Sequence, residues 1–396
     1  MSRGRDAQRV VQPYYTKFPY HGHNMNTRPT FGWIGRRYDG VPITRRGFLR
    51  LACTASASAA LVACGGANSS IPPAASSAAA SAASGKPAAS AVASASKSTG
   101  GLKLTVVYTA PVAQNMPVWM AEATHGFADR NLTIEMQSME GSLATKAMVA
   151  KEMDVLLQGA IGMIGASLNG NVDLVYVASE INHSGATLNV APGIQNAADL
   201  RGKIIGDDQP GTISDFQTLT MLAQLGLQPA DVTLRALGSS PVRTSSLLAN
   251  QVAAAALNPP FSFQVEAKGY KPLANLYKSP FLDVGAVVLR PRIDELAPAL
   301  VAFVDACRDG VRAFNTQPDL AIKVMQQYTK ETDQDILHKT YDLFKNTIPY
   351  QEDQQPPLDG LQQMIDFLGQ TTLPAAKTAK AEQFVDGRIL ARLPKK

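Results

Sequence analysis

Cysteine is scarce in this 396-residue chain, where Cys53, Cys64 and Cys307 are the only three. That is too few for the disulfide framework of a small secreted scaffold, and no C-x-x-C spacing exists to hold a metal. Histidine is sparse as well. After residue 64 it occurs only as His125, His183 and His338, far apart, and the H-E-x-x-H zinc signature is missing. A G-x-S-x-G elbow and a Walker loop are both absent. No metal and no cofactor are expected. No apolar run reaches the about 20 residues needed to span a bilayer. Beyond residue 63 no block of five like charges occurs, so the electrostatic footprint of a nucleic-acid binder is missing and no nucleic-acid partner is expected.

What is present begins with Thr44-Arg45-Arg46-Gly47-Phe48-Leu49-Arg50, followed by an Ala-rich stretch ending in Leu61-Val62-Ala63-Cys64-Gly65. An arginine pair opens a short apolar run that stops at a cysteine preceded by small residues. This resembles a bacterial twin-arginine signal joined to a lipoprotein lipobox. The resemblance implies that residues 1–63 are removed and that Cys64 carries a diacylglycerol thioether. The protein then works outside the cytoplasmic membrane, tethered to it. The other reading is a chance arginine pair before a buried helix, but small and polar residues make a poor core. Met25 is an alternative start, which leaves a shorter leader. The formal charge of +5 belongs to the leader. Residues 1–63 hold ten Lys/Arg against two Asp/Glu, leaving 27 and 30 in residues 64–396, a formal −3. Cys307 is then the one cysteine of the folded part. Its setting, Ala302-Phe303-Val304-Asp305-Ala306-Cys307, reads as that of a small buried hydrophobe.

Residues 64–101 follow the signal as a second segment. From Gly65 to Gly101 the chain is almost wholly Ala, Ser, Gly and Pro, with Lys86 and Lys97 its only charges. It lacks the apolar surface to offset ordering entropy and reads as a flexible tether. A coil of about 37 residues spans roughly 30–36 Å. From Leu102 strand-like runs alternate with helical ones. Strands are expected at 102–108, 132–136, 154–157 and 174–178, with helices at 116–125 and 145–150. The pattern restarts after Asp199-Leu200-Arg201-Gly202-Lys203, with strands at 204–206, 232–235, 253–257 and 272–276 and a helix at about 214–226. From Ile293 onward the chain reads as mainly helical. This is an α/β protein with mostly parallel sheets flanked by helices, and its two stretches look like two copies of one architecture.

The order of motifs carries a further resemblance. After the first strand come Pro117-Val118-Trp119-Met120-Ala121-Glu122, Gly126-Phe127-Ala128-Asp129-Arg130-Asn131-Leu132, Gly141-Ser142 and the strand led by Asp154. Gly211-Thr212, Leu225-Gly226-Leu227 and Asn258-Pro259-Pro260-Phe261 follow. This resembles the substrate-binding proteins of ABC importers in the sulfonate, taurine, nitrate and thiamine-pyrimidine group, over about Leu102 to Leu289. The resemblance implies a two-lobed type II periplasmic-binding-protein clamp. Lobe 1 would hold 102–189 and 284–396, and lobe 2 would hold 190–283, with hinges near Leu188 and Val284. A monomer would close on a small molecule and deliver it to an ABC permease. Two departures stand out. Lys151 takes the place of the family's usual glycine before Asp154. The lobe 2 counterpart, Asn250-Gln251-Val252-Ala253, replaces both the glycine and the acid.

Ligands in such sheets sit beyond the carboxyl ends of strands. That places Thr109, Asn115, Met116 and Trp119 at the first loop, with Asn115 as a polar anchor and Trp119 as a stacking ring or an ordinary core residue. Ser142, Thr212 and Ser214 open helices, either capping them or meeting an anion or carbonyl. Gly159 and Ala160 follow the third strand, where glycine permits close approach. Asn258 and Phe261 end a lobe 2 strand as anchor and aromatic wall, or the prolines between them simply end the strand. Together these favour an aromatic or sulfonated organic solute. Glu180, His183, Asp207 and Asp208 read as solvated loop groups or as partners for an amine or hydroxyls, and Arg243 as a surface residue or an anion contact. Catalysis is the alternative, by a thiamine-pyrimidine-synthase-like or desulfinase-like enzyme. The first would need a cysteine-rich motif that is lacking and the second a cleft cysteine, which Cys307 is in the wrong segment to supply. A sensory ligand-binding module is a third class.

Overall fold

The computed structural model describes residues 101–395. The leader, the proposed lipidation at Cys64 and nearly all of the Ala/Ser stretch lie outside the described residues. The chain builds β1 (Leu102–Tyr108), α1 (Met116–Ala123), β2 (Leu132–Ser138), α2 (Gly141–Val149), β3 (Val155–Gln158), α3 (Ala160–Gly170) and β4 (Leu174–His183). It crosses to a second sheet for β5 (Thr187–Val190), β6 (Ile204–Asp207), α4 (Ile213–Gln224), β7 (Thr233–Ala236), α5 (Ser240–Leu248), β8 (Ala254–Leu257), α6 (Phe261–Glu266) and β9 (Lys271–Asn275). It returns through β10 (Pro280–Leu289) and finishes in α7 (Ile293–Thr316), α8 (Pro318–Thr329), α9 (Gln334–Asn346) and α10 (Leu358–Thr371).

The sheets have the orders β2-β1-β3-β10-β4 and β7-β6-β8-β5-β9. In the first, β10 alone runs against the other four strands, and in the second β5 alone does so. Each reversed strand is the one the chain enters on crossing from the other sheet, so the architecture is one pattern used twice. The strands β5 and β10 were not anticipated from the sequence. The segment Pro280-Phe281-Leu282-Asp283-Val284-Gly285-Ala286-Val287-Val288-Leu289 is buried on both faces, so it shows no alternation to announce a strand.

Helix α7 buries Leu296, Leu300, Phe303, Val304, Cys307, Val311 and Phe314, the stripe expected of 3.6-residue periodicity. Gly310 lets it lie on α1, since a Cβ there would be 2.1 Å from the Pro117 carbonyl oxygen. Arg130 ties the turn before β2 to the same helix through Asp305 at 2.6 Å and Asp309 at 2.5 Å. One apolar cluster fills the space between the first sheet, α1 and α7–α9. A second runs through both halves and joins Val107, Leu156, Leu188, Phe216, Leu234, Phe281 and Leu361. A third and smaller one, Leu247, Val252, Ala255, Leu257, Val265 and Tyr270, backs the second sheet.

The two positions where the family's usual glycine is replaced adopt left-handed backbone, Lys151 at φ 62° and Asn250 at φ 55°. The turn leading into β3 and the one leading into β8 thus keep a conformation that glycine adopts freely.

Candidate functional site at the junction of the lobes

In each sheet the central parallel strand has neighbours on opposite sides, β2 and β3 around β1, β7 and β8 around β6. Connections leaving to opposite sides open a crevice at the carboxyl ends of these strands. The loops there belong to residues 109–115 and 159 in one half and 208–212 and 258–260 in the other. They meet. A Cβ on Gly159 would be 2.9 Å from Ile213 Cδ1 and 2.9 Å from the Asp283 carbonyl oxygen, so the approach of α4 to β3 needs a residue without a side chain.

A chain of buried polar side chains crosses this junction. Gln114 Nε2 donates to Asp283 Oδ2 at 3.2 Å. Gln217 Nε2 donates to Asp283 Oδ1 at 3.4 Å and to Ser184 Oγ at 2.9 Å. Asn258 Nδ2 donates to Gln217 Oε1 at 3.5 Å. Burial raises the Asp283 carboxyl to about 7, with Gln114 and the Gly185 N–H opposing that in part. Beside this chain, Arg243 is 2% exposed. Its Nε donates to Ala256 O, its Nη1 to Gly238 O and its Nη2 to Ser214 Oγ and Ser240 Oγ. Burial lowers its pKa, and Asp208 and Asp207 hold it up. Asp207 accepts from Thr218 Oγ1 at 2.9 Å, and burial together with Asp215 raises its pKa.

The residues anticipated from the sequence divide into groups. Gly159, Ser214 and Asn258 lie in or against the polar chain. Thr212 caps α4, accepting from the Asp215 N–H at 3.3 Å and donating to Gln209 O at 2.8 Å. Thr109 sits next to Gly141 at the start of α2, and Ser142 is that helix's second residue. Ala160 begins α3 inside the shared core. Asn115 spends its amide on its own loop, donating to Ala110 O at 2.8 Å and Val112 O at 3.3 Å. Met116 and Trp119 lie in the core of the first half, with Trp119 stacked on Tyr328 at 4.4 Å and edge-on to Tyr108 at 5.6 Å. Phe261 packs on the small cluster behind the second sheet.

Three readings are corrected. Arg243 is a buried residue, because its guanidinium finds backbone carbonyls and serine hydroxyls at the junction. Asp207 and Glu180 are buried as well, not solvated loop groups. Burial raises Glu180 to about 8, with the adjacent Cys307 thiol opposing it. The sequence reading missed Gln114, Gln217 and Asp283. A single carboxyl inside an apolar strand was the available signal, since such groups are rarely buried without partners. Among the described residues no group of three His, Cys, Asp or Glu side chains is placed to hold a metal ion, and no helix is long and apolar enough to cross a membrane.

A family model described as NMT1/THI5 like matches residues 113–321. An ABC transporter periplasmic binding protein of Brachyspira hyodysenteriae is 29% identical over 141 residues, which are 34% of this chain and 39% of that protein. The chain therefore spans about two fifths of that relative's length. Among solved structures, the alkanesulfonate-binding protein SsuA from Xanthomonas axonopodis pv. citri, bound to MOPS, aligns with a TM-score of 0.59 at 19% identity, covering 70% of this chain and 99% of its own. The periplasmic nitrate-binding protein NrtA from Synechocystis PCC 6803 aligns with a TM-score of 0.59 at 12% identity, covering 74% and 88%. At these identities the likeness is one of fold, the type II periplasmic-binding-protein clamp. With a family model spanning more than half of its length, the chain belongs to the NMT1/THI5-like family.

Proposed function

We propose that the protein is an extracytoplasmic solute-binding lipoprotein. It captures a small organic molecule between its lobes and delivers it to an ABC import permease. The observation that carries this reading is the buried polar chain from Gln114 to Asn258, which draws on both lobes at the ends of their strands. Lobe 1 comprises 102–189 and 284–396, lobe 2 comprises 190–283, and the two crossings serve as hinges. A ligand bridging the lobes favours the closed form because only that form offers contacts from both sides. Gln114, Asp283, Gln217 and Asn258 form the floor, joined by Thr109, Ser142, Gly159, Ala160, Thr212 and Ser214 at the rims. Asn115, Met116, Trp119 and Phe261 support it from behind.

The kinship with an ABC periplasmic binding protein supports transport over catalysis. So does the state of Cys307. It is buried, and burial with the neighbouring Glu180 raises its pKa well above the ordinary thiol value. A thiol held protonated away from the strand ends is a poor nucleophile. Residues 1–63 are the export signal, and Cys64 carries the lipid that holds the clamp at the membrane.

A thermal-shift screen over nitrate, alkanesulfonates, pyrimidines and aromatic carboxylates tests the central claim. Saturable stabilisation of about 2.7 kcal/mol at a hundredfold excess over Kd is expected, without turnover. Chemical conversion of the bound compound overturns it. For the anchor, Cys64→Ala is expected to release the protein from membranes, and unchanged retention rejects it.

A further inference from the structure

The loops after β1, β2, β3, β6, β7 and β8 (109–115, 139–140, 159, 208–212, 237–239 and 258–260) contain Glu140 and Asp208 and no lysine, arginine or histidine. The nearest cation, Arg243, donates from each of its three nitrogens to protein oxygens and faces Asp207 and Asp208. The junction is therefore poor in free positive charge and rich in carboxylates.

The polar chain fixes what it offers. With Asp283 ionised, both its oxygens accept, one from Gln114 and one from Gln217, and each of these amides turns its NH2 toward Asp283. Gln217 then presents Oε1 to Asn258, which must answer with its own NH2. The orientation of three amides follows from one carboxyl, and the carbonyl ends are left over. Gln114 Oε1 in lobe 1 and Asn258 Oδ1 in lobe 2 are both buried and have no hydrogen-bond partner. Buried acceptors are ordinarily paired, and two left open at opposite ends of one network mark places for donors.

We infer that the clamp selects a neutral or cationic solute carrying at least two N–H donors, which pair with Gln114 Oε1 and Asn258 Oδ1, and that it rejects donor-free anions. This rests on the solute-binding reading and names the ligand chemistry of that site. An anion such as nitrate brings only acceptors to two carbonyl oxygens and a carboxyl, and the strand-end loops named above, among the described residues, offer no cation to compensate. A donor-bearing solute satisfies both lobes at once and so couples binding to closure.

Four probes share one ring and differ in donors: benzamidine, benzamide, benzoate and benzenesulfonate. Calorimetry on the folded protein near neutral pH is expected to show benzamidine or benzamide binding at least about tenfold more tightly than either anion. Gln114→Met and Asn258→Leu are each expected to weaken that binding about tenfold. Asn258→Asp keeps the acceptor and adds charge, and it should shift preference from benzamide toward benzamidine by about tenfold. Tighter binding of an anion, no binding of either donor-bearing probe, or an unchanged amide-to-amidine preference in Asn258→Asp overturns the inference. If nitrate or an alkanesulfonate binds saturably while benzamidine and benzamide do not, the solute-binding reading stands and only the ligand class falls.

Discussion

The two lobes repeat one strand order but are backed differently. The first sheet is covered by α1 and the tail helices, with a broad apolar cluster behind it. The second has six buried side chains in the cluster behind it. At the junction the contrast is chemical. The first lobe brings Gln114, while the second brings Asp207, Asp208, Asp215, Asp283 and Arg243 together with two amides. Local stability follows buried apolar contact, so the second lobe is expected to be the softer of the two.

The sharpest way to break this comparison is to crowd one glycine in each half. Gly310→Ala places a methyl against the Pro117 carbonyl oxygen and the Ala121 nitrogen, backbone atoms that cannot step aside. A loss of about 3 kcal/mol or more is expected from urea titration. Gly206→Ala meets the tips of Leu237 and Val252, which can rotate, and a loss of about 1 kcal/mol is expected. Equal losses would mean that the halves are equally rigid.

A smaller effect concerns pH. Glu180 in the first lobe is raised to about 8, while in the second lobe Asp283 is raised to about 7 and Asp207 is also raised. Each is protonated in the fold at pH values where the unfolded chain would release its proton. Their contribution is fully present below about pH 4 and is lost as pH rises through 7 to 8. Thermal melts should show greatest resistance in mild acid. The stability difference between about pH 5.5 and about pH 8.5 is expected to be on the order of 2–4 kcal/mol. Glu180→Gln should remove about a third of it. An unchanged slope in that variant would move the effect to Asp283 and Asp207.

The smallest effect sets the two left-handed turns against each other. Lys151→Gly should raise stability by about 0.5–1 kcal/mol, because a lysine at positive φ is strained. Asn250→Gly should change it by less than about 0.3 kcal/mol, because asparagine tolerates that conformation. Differential scanning calorimetry resolves the pair, and equal gains would remove the distinction.

Much of the fold was legible where local pattern and tertiary role agree. β1, β2 and the helix at α7 announce themselves by spacing, and the restart after Gly202 marks the second copy. β5 and β10 were not legible, because a strand buried on both faces carries neither alternation nor a statement of its direction. The site was legible only in outline. Strand ends pointed to Gly159 and Asn258 and a helix start to Ser214, and these three lie in or against the buried polar chain. Gln217 sits mid-helix without any local signature. Gln114 and Asp283 are 169 residues apart and meet through packing alone.

The sequence by itself determined the α/β alternation, the doubled architecture and the placing of the positive charge in residues 1–63. These follow from periodicity, composition and short-range chemistry, which are local properties. Only the tertiary structure decided which polar groups share the junction, that Arg243 is buried and engaged, and which amide oxygens are left open. Those outcomes depend on contacts between segments far apart in the chain, and a hydrogen bond's direction is fixed by its partner rather than by its neighbours in sequence.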